Sequence, residues 1–128
     1  MCASPVIAII DDEEHVREAV ARLVESLGYG AEVYTSAEEF LVQVETSAAS
    51  CLLVDVHLKD LSGIELGREL SSLGFTLPII IMTGSNDPML RKQAMELDCA
   101  AFLQKPFRQE LLAEALVAAI GRPGKAIN

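Results

Sequence analysis

Apolar positions along this chain follow two alternating rhythms. Short runs that are apolar at nearly every position occur at 5–10 (PVIAII), 51–54 (CLLV) and 78–82 (PIIIM), with weaker counterparts at 31–34 (AEVY) and 100–103 (AAFL). Runs of this length without alternation suit strands covered on both faces. Between them lie longer stretches in which apolar residues recur every three or four positions, the period of a helix with one buried side. Strand-like and helix-like segments taking turns predict an α/β chain, a parallel sheet with helices on both faces.

The helical stretches carry their own start and stop signals. The first, about 14–27, places Val16, Ala19, Val20, Leu23, Val24 and Leu27 on one stripe, with Gly28 and Gly30 after it. The second opens with Ser36 and Glu39, spaced as a capping box, and buries Phe40, Leu41 and Val44. The third repeats the device with Ser62 and Glu65 and turns Leu66, Leu70 and Leu73 inward. The fourth has Asp87 as cap and Pro88 at its first position, then Leu90, Ala94 and Leu97. The fifth, about 108–120, aligns Leu112, Ala115, Leu116, Ala119 and Ile120. Residues 1–121 therefore read as one (βα)5 domain, and 122–128 as a tail or the start of a linker. Right-handed crossovers favour the flavodoxin-like three-layer sandwich with strand order 2-1-3-4-5.

That order matters because sites in such sheets lie outside the carboxyl ends of the strands. The first strand ends in Asp11 and Asp12, the third in Asp55, the fourth in Thr83 and Gly84, and the fifth in Lys105 and Pro106 after a short turn. With the first strand beside the third, Asp11, Asp12 and Asp55 are expected to converge. Each close carboxylate pair costs several kcal/mol, on the order expected at a surface-like dielectric, so protons or a cation must relieve it. Hard oxygen ligands with room for water suit Mg²⁺. Asp, Asp, Lys and Thr together then make sense as phosphoryl chemistry: one carboxylate as nucleophile, lysine and metal balancing charge, threonine donating a hydrogen bond. Taken singly, each residue has an ordinary explanation as a helix cap, a dipole-favouring acidic turn or a solvated loop. Their coincidence at one sheet edge carries the functional reading.

Composition narrows the partners. The chain has 128 residues with 19 acidic against 10 basic, a formal net charge of −9. Such a surface repels phosphate backbones, so direct nucleic-acid binding is not expected. Three scattered cysteines, Cys2, Cys51 and Cys99, form no C-x-x-C pair and read as reduced thiols of a cytoplasmic protein. No apolar run is long enough for a membrane span, and the start lacks the basic region of a signal peptide.

These four signatures, DDEE, the Asp in LLVDVHL, MTG and FLQKPF, resemble the receiver domain of two-component response regulators, CheY-like in fold, over about residues 5 to 121. The resemblance implies that Asp55 accepts a phosphoryl group from a histidine kinase or phosphotransfer protein. It implies that Asp11 and Asp12 bind Mg²⁺ with Asp55 and the backbone carbonyl of His57. Thr83 matches the switch hydroxyl, Lys105 the family lysine, and Lys105-Pro106 a bond that is commonly cis. Phe102 matches the aromatic whose rotamer reports the phosphorylated state, which would be passed to the face of the fourth helix, fifth strand and fifth helix. Family members often dimerise through that face, so the resemblance implies a weak or phosphorylation-dependent homodimer. "SAEEFL" and "PIIIMTG" look like the branch whose receivers precede a helix-turn-helix output domain, absent from this chain.

The chain departs from the family in one loop. Where Met-Pro is common after the phosphoacceptor, Leu58-Lys59 stands, so the rigidifying proline is missing and a cation is added. His57 is unusual in type, and His15 is placed to face a donor protein or solvent. Ser85 lies where the family tunes hydrolysis. A Mg²⁺-dependent small-molecule phosphohydrolase with Asp55 as nucleophile is the competing enzyme reading; enzymes of the haloacid-dehalogenase kind want an Asp where His57 stands. A phosphate-independent binding module is the third. A dinucleotide site is excluded, since no G-x-G-x-x-G follows the first strand.

Overall fold

The structure, a computed structural model, describes residues 5–121. The expected tail at 122–128 and Cys2 lie outside the described residues. Five strands, β1 (Val6–Ile10), β2 (Gly30–Tyr34), β3 (Ala49–Asp55), β4 (Ile79–Thr83) and β5 (Ala101–Gln104), alternate with five helices. The helices are α1 (Glu14–Ser26), α2 (Ala37–Gln43), α3 (Gly63–Ser72), α4 (Pro88–Glu96) and α5 (Gln109–Ile120). All pairings are parallel and the order is β2-β1-β3-β4-β5, as expected from the pattern.

Two apolar cores sandwich the sheet. One face buries Phe40, Ile64, Leu66, Leu70 and Ala94 from α2, α3 and α4 against Leu52, Val54 and Ile81. The other buries Val20, Val24, Leu112 and Leu116 from α1 and α5 against Ile7, Ile9, Leu53 and Ile80. Successive residues of β1, β3 and β4 feed opposite cores, which is why these strands are apolar throughout.

Local signals place the helices with a few corrections. Ser62 and Glu65 form the full capping box at α3. At α2 only half of it forms. Ser36 accepts from the Glu39 amide at 3.1 Å, but the Glu39 carboxylate turns outward to the Thr35 amide at 2.6 Å. Asp87 caps α4 through the Met89 amide at 2.9 Å. Two residues expected on inward stripes are not there. Ala19 is exposed on α1, and Leu73, at the end of α3, is 55% exposed because the helix stops before it completes another turn onto the sheet. β3 starts two residues earlier than its apolar run and includes Asp55 itself as its last residue.

Cys51 is fully buried in the core beneath α1 and α5, and this burial pushes its thiol up to about 12. The thiolate is the reactive form. Iodoacetamide at pH 8, followed by peptide mass mapping, is therefore expected to leave Cys51 unmodified in folded protein and to label it fully in denaturant. Labelling of Cys51 at equal rates in both states contradicts this packing.

Candidate functional site

Sheet register brings the acidic residues together. Ile10 lies opposite Val54, so the next residues along, Asp11 and Asp55, leave the sheet side by side. Asp55 pairs with Met82 and Thr83 with Gln104, which sets Thr83 and Lys105 at the same edge. The Lys105 amide donates to the Thr83 carbonyl at 2.7 Å, and the Lys105-Pro106 bond is cis.

Lys105 reaches across the sheet end. Its Nζ donates to Asp11 Oδ2 at 3.0 Å and to Asp55 Oδ2 at 2.5 Å. Asp11 is fully buried, and Asp55 keeps 6% of its surface exposed. The other Asp55 oxygen, Oδ1, accepts from the His57 amide at 2.7 Å, so both ends of the carboxylate are held and its plane is fixed. Asp11 Oδ1 accepts from the Glu13 amide at 2.9 Å, serving the entry to α1 while its other oxygen serves the lysine. Arg17 Nη1 donates to the Asp11 carbonyl at 2.8 Å and ties the same loop down from one helical turn away.

The charges respond to this enclosure. Burial pushes the Asp11 carboxyl above its ordinary value, opposed by the Glu13 amide and Lys105 and reinforced by the neighbouring Asp55 charge. Burial also works against the Lys105 ammonium, but its hydrogen bonds to Asp55 and Asp11 overcome that and hold its pKa above an ordinary lysine. Two carboxylates sharing one ammonium leave the cluster with an unbalanced negative charge.

The remaining expected residues occupy different situations. Asp12 is half-buried and lines a cavity of about 350 Å³ with His57, Leu58, Lys59, Leu90 and Gln93. The expected convergence of three carboxylates is thus realised as two on Lys105, with Asp12 facing the adjoining cavity. Among the described residues no group of three or more His, Cys, Asp or Glu is gathered so as to hold a metal ion. The Thr83 side chain is buried, and its hydroxyl accepts from the Ser85 amide at 3.0 Å. The His57 side chain is exposed, and so are His15 and Lys59. Phe102 is half-buried on β5, with the Arg91 guanidinium of α4 5.5 Å from its ring centre.

Three of these contacts were not foreseen in the sequence. Arg17 and Arg91 carry no sequence signal that sets them apart from other helical charges. Gly63 carried a weak signal, a glycine at the first position of a helix, where it is a poor helix former. Its reason is spatial: a Cβ there would stand 2.6 Å from the Asp55 carbonyl oxygen.

Comparisons with known proteins agree on one family. The model of the response regulator receiver domain matches residues 7–117. The response regulator protein TodT of Pseudomonas putida is 40% identical over 115 residues, covering 90% of this chain and 51% of that protein. The transcriptional regulatory protein FixJ of Azorhizobium caulinodans is 39% identical over 116 residues, 91% of this chain and 55% of that protein. The chain thus spans about half the length of the curated relatives it matches. The crystal structure of FixJ-N superimposes with a TM-score of 0.86 at 32% identity, covering 92% of this chain and 94% of that one.

Gly63→Ala is expected to destabilise the fold by about 1–3 kcal/mol through overpacking against the backbone of Asp55, outweighing the gain in helix propensity. Urea unfolding checks it; a midpoint equal to or above the unsubstituted protein's contradicts the close approach.

Proposed function

Because the chain belongs to the response regulator receiver domain family, we propose that Asp55 is the residue at which it takes up a phosphoryl group. Receiver domains of this family are signalling domains of two-component systems. The observation that carries the proposal is Lys105 Nζ held between Asp11 and Asp55 at the carboxyl edge of the sheet. A carboxylate placed there is fixed in orientation, not wholly sealed from solvent, and beside a cation that can neutralise incoming phosphoryl oxygens.

In this reading a histidine kinase or phosphotransfer protein presents a phosphohistidine. An Asp55 oxygen forms a bond to phosphorus as the phosphorus–nitrogen bond breaks, and the imidazole leaves. Lys105 keeps its place beside Asp11 and meets an oxygen of the transferred group. Asp11, Asp12, Asp55 and the His57 carbonyl are the oxygens that would hold Mg²⁺. The donor chemistry fits, because Mg²⁺ asks for one or two carboxylates and keeps several waters, so three carboxylates need not close on it. Asp12 beside the net negative pair of Asp11 and Asp55 with Lys105 makes a total that a divalent ion balances. Bound Mg²⁺ would supply positive charge to the oxygens of the transferring group.

The readout runs through Thr83 and Phe102. The Thr83 hydroxyl accepts from the Ser85 amide in its own turn, and a phosphoryl group on Asp55 offers its proton a charged acceptor. Movement of Thr83 makes room for Phe102 to turn inward, and that turn must release Arg91 from the ring. A cation–π contact at a partly exposed site is worth about 0.5–1 kcal/mol, a small latch that a phosphoryl group can overcome. The altered surface is the face of α4, β5 and α5, through which the domain would act on an output partner or a second copy of itself. We place this exchange in the cytoplasm. Among the described residues no helix is long and apolar enough to cross a membrane. The small-molecule phosphohydrolase alternative is not supported: the matching family and the relatives named above are regulators.

The donor is best seated in the apolar groove of about 400 Å³ between α1 and the turn after β5. It is lined by His15, Val16, Ala19, Leu23, Pro106 and Phe107 and ends at Lys105. Exposed Ala19 belongs to that wall rather than to the core.

Two outcomes are expected. With labelled acetyl phosphate and Mg²⁺, the unsubstituted protein takes up acid-labile phosphate and Asp55→Asn takes up none; equal labelling of the two contradicts the assignment. Ala19→Glu is expected to cut transfer from a cognate kinase about tenfold or more while labelling by acetyl phosphate stays unchanged. Equal loss with both donors contradicts the groove as a docking wall.

A further inference from the structure

The loop after Asp55 holds the backbone carbonyl assigned to Mg²⁺, and no proline stands in it between residues 56 and 62. Its near end is secured by the sheet: the Val56 amide donates to the Met82 carbonyl at 2.9 Å, and the Gly63 amide donates back to the Val56 carbonyl at 3.1 Å. Leu58 and Leu61 rest against the core. Farther out, Asp60 does something else. Its Oδ2 accepts from the Glu38 amide in the first turn of α2, at 2.9 Å and 22 residues away in sequence.

We propose that Asp60 is a positioning residue for the metal-binding loop, a carboxylate that fastens residues 57–60 to the start of α2 and replaces the stiffness that a proline at position 59 would give. The proposal rests on the reading of His57 as a metal-binding carbonyl.

The chemistry of the bond suits this work. The first amides of a helix have no partner inside it, and the positive end of the helix favours a carboxylate. Ser36 takes the Glu39 amide from within the segment, so Asp60 takes the Glu38 amide from outside it. Burial would raise the Asp60 carboxyl, but the amides of Glu38, Leu61 and Ala37 outweigh it and hold the pKa below the ordinary value. The charged form is therefore the one that binds α2. A proline stiffens a loop by restricting φ; a long-range hydrogen bond stiffens it by fixing its far end. Groups that orient metal ligands from behind commonly change metal affinity about 10-fold or more when removed.

Three variants test the clamp: Asp60→Ala, Asp60→Ala with Lys59→Pro, and Ser36→Ala. The last removes a neighbouring cap of α2 without touching the loop. Calorimetric titration with MgCl₂ and amide hydrogen exchange at residues 57 and 58 are the readouts. Asp60→Ala is expected to weaken Mg²⁺ binding about 10-fold and to speed loop exchange by a similar factor. Lys59→Pro should restore both, and Ser36→Ala should leave both unchanged while lowering stability. The proposal is overturned if Asp60→Ala exchanges like the unsubstituted protein, if Ser36→Ala matches it, or if the proline restores nothing. Should the unsubstituted protein bind no Mg²⁺, the metal reading fails, and loop exchange in metal-free protein still decides the clamp.

Discussion

A single ammonium group organises the carboxyl edge of this domain. Lys105 lies between a fully buried aspartate and a nearly buried one, and without it two carboxylates would face each other where little water reaches. Their repulsion would be of the order of several kcal/mol even at a generous effective dielectric. The lysine pays that cost and leaves a residue of negative charge, so the edge is stable and still attracts cations. Substituting the lysine would strand the two carboxylates, whereas substituting one aspartate would leave the ammonium on the other alone. The whole cleft is thus built around a charge balance that is adequate but incomplete.

The fold supplies the reach for this contact. Parallel register sets Asp11 beside Asp55, and the turn after β5 lets Lys105 cross two strands to meet them. The two cores divide the labour. α1 lines the groove beside Lys105, with α5 packed in the same core, while the core under α2, α3 and α4 takes Leu58 and Leu61 of the loop after Asp55, and α4 carries Arg91 to Phe102. Asp55 therefore lies between two surfaces, the groove along α1 that ends at Lys105 and the face where Arg91 of α4 meets Phe102 of β5. The β4 end with Thr83 stands between Asp55 and β5.

Much of this was legible in the sequence because strong signals agreed. Three nearly unbroken apolar runs and two weaker ones gave the strands, Ser62, Glu65, Asp87 and Pro88 gave helix starts, and the strand order then brought Asp11, Asp55, Thr83 and Lys105 to one edge. The failures came where a local pattern met a tertiary choice. Ser36 and Glu39 have capping-box spacing, but the Glu39 carboxylate found the Thr35 amide instead. Ala19 and Leu73 keep helical spacing, yet Ala19 faces the groove beside Lys105 and Leu73 stands at the cap where α3 ends. Asp12 follows Asp11, but adjacent residues diverge on leaving a strand, and it turned to the neighbouring cavity. Contacts such as Glu38 with Asp60, Arg91 with Phe102 and Gly63 with Asp55 join segments whose separation no periodicity records.

The most direct test of the central claim is chemical mapping of the phosphoryl group. Protein incubated with acetyl phosphate and Mg²⁺ can be reduced with borohydride, which converts an aspartyl phosphate to homoserine, and then digested for mass spectrometry. The account predicts homoserine at position 55 alone, formed when Mg²⁺ is present and lost when it is chelated. Homoserine at position 11 or 12 instead, or none anywhere under conditions that leave the fold intact, would contradict it.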